Sequence, residues 1–451
     1  MRGDWGVGVT IMRVVSRHEA ELPPRSHTLA LEPREVRLAE RPKSSVRNIL
    51  SVMAMLLAGS TGSAAQAPAS PGTPILVDRN MTAGAGATVT NAAGRLAAHV
   101  EDRFVPLRLF EERSKLHRAV NATYRLTKLA LFDEPQENWL RVANHEVFGH
   151  GGRLRDLFSG HIGYELPPPP PYGRGGGATF FNYDRTPTVE EVLAVSAGGM
   201  EANYVLARAL AQDAMTEGQW HYRDARRYLY AEYDTIRYIL GTSDLEREGH
   251  DVGDFRRVYN DLARTLEEKT LSARMLRRDA LVSFANPMIA YSYYSTFVSY
   301  VWGGHTTSPI PMIHFGETRY LPMARFHLTS FGTEFVIDNA FVRNGRFTDV
   351  TLGAGQTIGA RTWSVGLQST RVASIGRWSI DGSGTIWHRP DWGAQLQATT
   401  YREVAQRGQH ALSLVVQGGW KTDGFTPGDR LHEGAFMRVG AALTPRSRQS
   451  P

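Results

Sequence analysis

The chain has no cysteine among its 451 residues. That excludes disulfides, thiolate metal ligands and cysteine nucleophiles, so any metal site must be built from His, Asp or Glu. A strong charge of one sign is also missing. The formal net charge is +6, but residues 1–48 hold nine Lys/Arg against six Asp/Glu, and the chain beyond residue 65 holds 42 basic and 39 acidic residues. A balance of +3 over that stretch is no nucleic-acid footprint, so no nucleic acid is expected as partner. A phosphate-binding glycine loop is lacking, because the run Gly173 to Gly177 follows a polyproline stretch and not a strand. There is no G-x-S-x-G elbow and no recognisable Ser/His/Asp set. Apolar runs of bilayer length are scarce. Only Ala280 to Trp302 is long enough, and Asn286-Pro287 and its many Tyr and Ser residues suggest a buried or membrane-interfacial helix instead of a span.

The N-terminal part reads as targeting sequence. Residues 1–45 are Arg- and Pro-rich with no sustained apolar period. Arg41, Lys43 and Arg47 precede the apolar run Ile49 to Ala58, and small residues follow through Ser63-Ala64-Ala65. This is the pattern of a secretory signal peptide over 1–67, cleaved after Ala65 or Ala67, with a true start downstream of Met1. An Ala/Pro/Gly/Thr linker is expected over 68–93. Export to the periplasm or outer membrane follows as an expectation.

Residues 94–317 read as a helical domain. Its chemistry centres on Asn144-His145-Glu146-Val147-Phe148-Gly149-His150-Gly151. Zinc hydrolases need two neutral imidazoles on the metal and a carboxylate beside the bound water. The usual H-E-x-x-H spacing puts both histidines on one helical face. A spacing of five puts them about 140° apart on a regular helix instead of about 40°. A local bulge, with Gly149 where it would fall, could bring them together, and such bulges favour functional sites. A catalytic zinc site also needs a third protein ligand. In many zinc peptidases this is a glutamate on a later helix. Thr188-Val189-Glu190-Glu191 is a capping box that opens such a helix. Glu201 lies within it among small and apolar neighbours, where an unpaired carboxylate would be costly to bury. Glu190 and Glu191 are rivals, although the cap accounts for Glu191. Gly198 and Gly199 make sense if the motif helix must come close. The loop 159–186, with Pro167 to Pro171, either lines the site or is a solvated spacer. His161, His221, Tyr183 and Tyr204 are candidates to polarise a substrate carbonyl, and spacing selects none of them.

The run His145-Glu146-x-x-Gly149-His150-Gly151 resembles the signature of the dipeptidyl peptidase III family, which uses the five-residue histidine spacing and takes a glutamate ligand from a second helix some fifty residues on. The resemblance implies His145, His150 and Glu201 as Zn2+ ligands and Glu146 as general base. It covers two short stretches only, and Met200 stands where that family doubles the acid.

From about residue 318 the period changes to two. Trp363, Val365 and Leu367 alternate with Ser364, Gly366 and Gln368, and Leu412, Leu414 and Val416 with Ser413, Val415 and Gln417. Candidate strands recur at 324–331, 333–343, 347–356, 361–370, 375–388, 392–402, 409–421 and 433–442, which predicts about eight antiparallel strands in a meander or barrel over 318–445. Such alternation fits a small outer-membrane barrel, and a soluble barrel or sandwich gives the same pattern. The fold class expected is therefore α+β. The function expected is an exported zinc-dependent hydrolase, a metallopeptidase acting on a peptide or protein. The alternative is an outer-membrane barrel with a non-catalytic helical periplasmic domain, serving envelope structure or transport.

Overall fold

The computed structural model describes residue 72 and residues 74–245, 249–407 and 410–445; the expected signal peptide lies outside the described residues. Residues 74–93, expected as linker, carry strand β1 (Pro74–Val77) and the first half of helix α1 (Ala83–Phe104). Thr82 caps α1 by accepting from the Ala85 amide, and the alanine-rich first turns bury their small side chains, so this stretch is part of the packed fold.

The helical half continues with α2 (Lys115–Lys128), a π-helical turn (Leu129–Asp133), α3 (Glu134–Ala143), a second π-helical turn (Asn144–His150) and α4 (Gly151–Leu157). A hairpin of β2 (Ile162–Glu165) and β3 (Ala178–Phe181) follows. Then comes α5 (Val189–Glu217), opened by the Thr188–Glu191 capping box and stopped by Gly218 at φ 76°. Strand β4 (Gln219–His221), helices α6 (Tyr222–Leu240), α7 (Asp251–Thr265) and α8 (Ala273–Ala280) complete the half, with a 3-10 turn (Leu281–Ala285), α9 (Pro287–Tyr293) and a third π-helical stretch (Tyr294–Trp302). Strand β5 (Thr307–Pro309) pairs with β4. Helix α5 is the axis of the protein. Its middle, Leu193 to Tyr204, is buried throughout, and it packs on α1, α6, α7 and the second π turn while its far end reaches the large sheet. A shared apolar core joins Leu206, Leu210 and Met215 of α5 to Leu321, Ala340 and Phe347 of that sheet.

The large sheet contains β6 (Ile313–Phe315), β7 (Thr318–Thr329), β8 (Gly332–Arg343), β9 (Arg346–Thr357), β10 (Ala360–Ile375), β11 (Trp378–His388), β12 (Trp392–Arg407), β13 (His410–Lys421) and β14 (Gly434–Pro445), with β1 added beside β14. All pairings are antiparallel, in the order β1-β14-β13-β12-β11-β10-β9-β8-β7-β6. Asn344 and Gly345, both at positive φ, make the two-residue turn from β8 to β9. Among the described residues the sheet thus has ten strands where about eight were expected, and it does not close into a barrel by strand pairing. Helical elements stand at both edges instead. Thr88 Oγ1 of α1 accepts from the Leu76 amide at 2.9 Å on β1, and Ser283 Oγ accepts from the Phe326 amide at 3.0 Å on β7.

The burial pattern orients the two-residue alternation. On β8, Glu334 and Asp338 are buried while Ile337 is 47% exposed; on β13, Ser413 and Gln417 are buried while Leu412, Leu414 and Trp420 are exposed; on β14, Arg438 is buried while Met437 is 65% and Leu443 58% exposed. The inner face mixes these polar residues with apolar ones such as Val336, Ala340 and Val415, while large apolar residues also stand outward. The segment 281–302 also turns large apolar residues outward. Ser292, Ser295, Thr296 and Ser299 are buried, whereas Tyr294, Phe297, Val298 and Trp302 are exposed. No helix among the described residues is long and apolar enough to cross a membrane.

Candidate metal centre

The five-residue spacing of the histidines is resolved by the backbone. Asn144–His150 is a π-helical turn set between the α-helical segments α3 and α4. Hydrogen bonding from i to i+5 stacks residues five apart on one face. Gly149 sits inside this turn and lets it touch α5. A Cβ on Gly149 would stand 2.5 Å from the Gly199 Cα, and one on Gly199 would stand 2.2 Å from His145 Nε2. The three glycines 149, 198 and 199 therefore permit the close crossing on which the site is built.

His145 and His150 are fixed through their Nδ1 atoms. His145 Nδ1 lies 2.8 Å from Asp234 Oδ2, and His150 Nδ1 lies 2.7 Å from the Val195 carbonyl on α5. With Nδ1 of each ring engaged by these acceptors, the two Nε2 atoms are the ones left facing each other and Asp251. They are 3.1 Å apart. The third member is Asp251, the first residue of α7, whose Oδ2 lies 2.9 Å from His145 Nε2 and 3.4 Å from His150 Nε2. Metal–ligand bonds of 2.0–2.2 Å in a tetrahedron require ligand separations of about 3.3 Å. The three observed edges bracket that value, and His145, His150 and Asp251 form a group that could hold a metal ion.

The electrostatics of the site call for positive charge. Burial opposes protonation of His145, but Asp234 and then Asp251 outweigh it and push the ring up to about 10. Burial opposes a charge on His150 too, and Asp251 again raises it. Burial favours neutral Asp251, yet His150 and His145 hold its carboxyl far below the usual range. Three acceptors packed this tightly repel one another unless protons or a cation sit among them.

Asp234 is itself held by Arg141 and by Asn203 Nδ2 at 2.9 Å; Asn203 Oδ1 accepts from Asn144 Nδ2 at 3.0 Å, and Thr90 Oγ1 donates to Asn144 Oδ1. A buried polar chain thus links α1, the π turn, α5 and α6 behind His145.

Glu201, expected as the third ligand, is placed elsewhere. Its carboxylate takes a two-pronged bond from Arg153 at 2.5–2.8 Å and accepts the Gly428 amide at 2.8 Å. It ties α4 and α5 to the β13–β14 connection, and Asp251 occupies the place beside the histidines. Glu146 is fully buried next to the pair. Its Oε2 accepts from Thr179 Oγ1 at 2.8 Å, and Gly177 lies so close that a Cβ there would stand 2.7 Å from Glu146 Cγ. The proline- and glycine-rich loop and β3 therefore cover Glu146, and the centre is closed to solvent, with His145 1% exposed. The other candidates lie outside the group. His161 is exposed, His221 caps α6, Tyr183 packs edge-on against Phe158, and Tyr204 stacks on His327.

Asp251 and Asp234 went unrecognised in the sequence. An aspartate at the start of a helix reads as ordinary macrodipole complement. Asp234 gave no local signal, because α6 buries several other charged residues, among them Arg223, Arg227 and Glu232. Comparison of the chain with family models, with curated proteins and with solved structures finds no match.

Proposed function

We propose that this protein is an exported zinc-dependent hydrolase, with His145, His150 and Asp251 holding Zn2+ and Glu146 acting as general base. The observation that carries this is the convergence of two Nδ1-anchored imidazoles and one carboxylate oxygen at tetrahedral separations, with a second carboxylate on the same helical turn. Two neutral imidazoles and one carboxylate suit zinc and leave the fourth position for water or substrate. Zinc bound there would act as a Lewis acid and make water nucleophilic near neutral pH. Glu146 would take the proton of the attacking water and return it to the leaving group. Asp234 would hold His145 in the Nδ1–H tautomer, and the Val195 carbonyl would do the same for His150. The proposed substrate is a peptide or protein, the commonest use of a His-Glu turn of this kind. Because the centre is closed, the Gly177–Thr179 segment must swing off Glu146 to admit it. The ligand set differs in Asp251 from the one that the dipeptidyl peptidase III resemblance implies, so dipeptide release is not part of the proposal. Glu146→Gln should keep zinc and lower hydrolysis of a casein or mixed-peptide substrate at least about 100-fold. Equal hydrolysis by the variant would remove Glu146 from the chemistry.

A second reading concerns placement. The large apolar residues on the outer face, among them Ile337, Leu412, Leu414, Met437 and Leu443, favour hydrocarbon as the medium around the sheet. The exposed aromatics of 281–302, beside the β7 edge, extend that apolar surface. On this reading the sheet is embedded in the outer membrane and the helical half fills the gap between its edges. Both readings hold together as a membrane-anchored hydrolase, and the non-catalytic alternative is the case in which the zinc site only stabilises the helices.

A further inference from the structure

A surface that shares no residue with the metal centre turns apolar side chains outward although the backbone beneath it is firmly held. It is made by the C-terminal half of α1, the loop 105–114 and α2. Leu96, Val100 and Phe104 recur every four residues and so form one stripe of α1, and all three are exposed, Phe104 to 75%. Leu109 and Phe110 of the loop and Leu116 at the start of α2 are exposed as well, Leu116 to 70%. An apolar stripe on a helix normally faces a core. The loop is pinned from below. Asn121, itself buried, accepts from the Leu109 and Phe110 amides at 3.0 and 3.1 Å and donates to the Phe110 carbonyl at 2.8 Å, and the Tyr124 hydroxyl donates to the Pro106 carbonyl at 3.0 Å. These bonds fix a backbone that holds its apolar side chains outward.

Charge and continuity together select what covers this surface. Residues 102–118 hold five Lys/Arg against three Asp/Glu. Glu111 pairs with Arg113, Glu112 with Arg118 at 3.4 Å, and Asp102 with His221 at 3.4 Å. Arg103, Arg108 and Lys115 are the surplus cations, each exposed and each next in sequence to an exposed apolar residue. Lysine is depleted from the cores of protein interfaces. Cations interleaved with Phe and Leu instead mark segments that lie in the headgroup layer of an anionic membrane. Continuity comes from Arg125, which is buried and donates to the Leu107 carbonyl at 3.3 Å and to the Val301 and Trp302 carbonyls at 2.9 and 3.3 Å. It holds the loop against the π-helical stretch whose Tyr294, Phe297, Val298 and Trp302 are exposed, so the two apolar surfaces adjoin. We propose that the α1–α2 surface docks on an anionic phospholipid bilayer, with Phe104, Leu109, Phe110 and Leu116 entering the acyl boundary and Arg103, Arg108 and Lys115 meeting headgroup phosphates. This docking rests in part on the membrane placement proposed above, and the probes below report on the two surfaces separately.

The chain holds no cysteine, so one fluorophore can be placed at a chosen residue. The full chain, labelled at Phe110→Cys, at Leu116→Cys or at Leu414→Cys, is folded in the presence of vesicles of mixed phosphatidylcholine and phosphatidylglycerol. Quenching by a lipid-borne nitroxide is compared with quenching by aqueous acrylamide. The probes at Phe110→Cys and Leu116→Cys should be quenched by the nitroxide and shielded from acrylamide. Arg103→Gln, Arg108→Gln and Lys115→Gln together should shift both back toward acrylamide, the detached-to-docked ratio rising about fivefold for each cation removed. Vesicles of phosphatidylcholine alone should shift them the same way. Loop probes that meet acrylamide and not the nitroxide in the mixed vesicles would overturn the proposal. So would probes shielded from both quenchers, the mark of a protein partner or a second copy, and so would nitroxide quenching that ignores both the loss of the cations and the loss of lipid charge. The probe at Leu414→Cys reports on the sheet alone. Acrylamide contact there, beside nitroxide contact in the loop, would remove the embedded sheet and leave the docking in place.

Discussion

Asp234 Oδ2 lies 2.8 Å from His145 Nδ1 and accepts from Asn203 Nδ2 as well, so a single buried carboxylate oxygen orients one imidazole of the candidate metal group. Partners of this kind make the ligand more basic and fix its tautomer, and their loss costs about 10–100-fold in metal affinity. Asp234→Asn keeps an acceptor near the ring but loses the charge and the pairing with Arg141. Zinc affinity, measured by competition with a chromophoric chelator, should fall by about that factor with the helical signal retained. Unchanged affinity would show that His145 does not depend on Asp234.

Gly177 stands against Glu146 and Val142, where an added Cβ would lie 2.7 Å from both side chains. Gly177→Ala should therefore displace Glu146 and lower turnover at least about tenfold, while zinc content stays at the wild-type level, because the methyl group touches no metal-facing atom. Full turnover in this variant would mean that the covering segment does not constrain Glu146.

The outward face of the large sheet gives a sharp contrast between media. Leu412 and Leu414 are exposed on β13. An arginine on the lipid face of a membrane barrel costs about 2–4 kcal/mol near the midplane. A surface substitution in water usually stays within about 0.5 kcal/mol. Leu414→Arg, compared with wild type by urea titration after folding into phosphatidylcholine vesicles, should lose about 2–4 kcal/mol of stability. A loss of about 0.5 kcal/mol or less would place this face in water.

Much of the centre was legible in sequence because it depends on local geometry. The histidine spacing required an i to i+5 turn, and Asn144–His150 forms one; Gly198 and Gly199 signalled a close backbone crossing, and Gly149 meets Gly199 there. Glu201 was expected as a zinc ligand because a lone buried carboxylate is costly, but its partner is Arg153, three residues beyond His150, which offsets that cost as a metal would. Asp251 was out of reach because it arrives from 101 residues beyond His150, and only tertiary packing brings α7 against the π turn. The long strands were readable from their two-residue period, whereas the short edge strands β1 and β6, of four and three residues, were not. Alternation cannot say which of its two faces lies inside, and the burial of Glu334, Asp338 and Gln417 supplies that.

The most direct measurement is metal content with X-ray absorption on the purified chain and on two variants, Asp251→Ala and Glu201→Gln. One zinc per chain, with two histidine nitrogens at about 2.0 Å and a carboxylate oxygen at about 2.0–2.2 Å, is expected in the wild type. Asp251→Ala should lose most of that zinc. Glu201→Gln should keep it and instead lose about 3–5 kcal/mol of stability, because it leaves Arg153 buried without its partner. A folded Glu201→Gln protein without zinc, beside an Asp251→Ala protein that retains it, would contradict the assignment of the third ligand. A wild-type chain that takes up no zinc would contradict the centre itself.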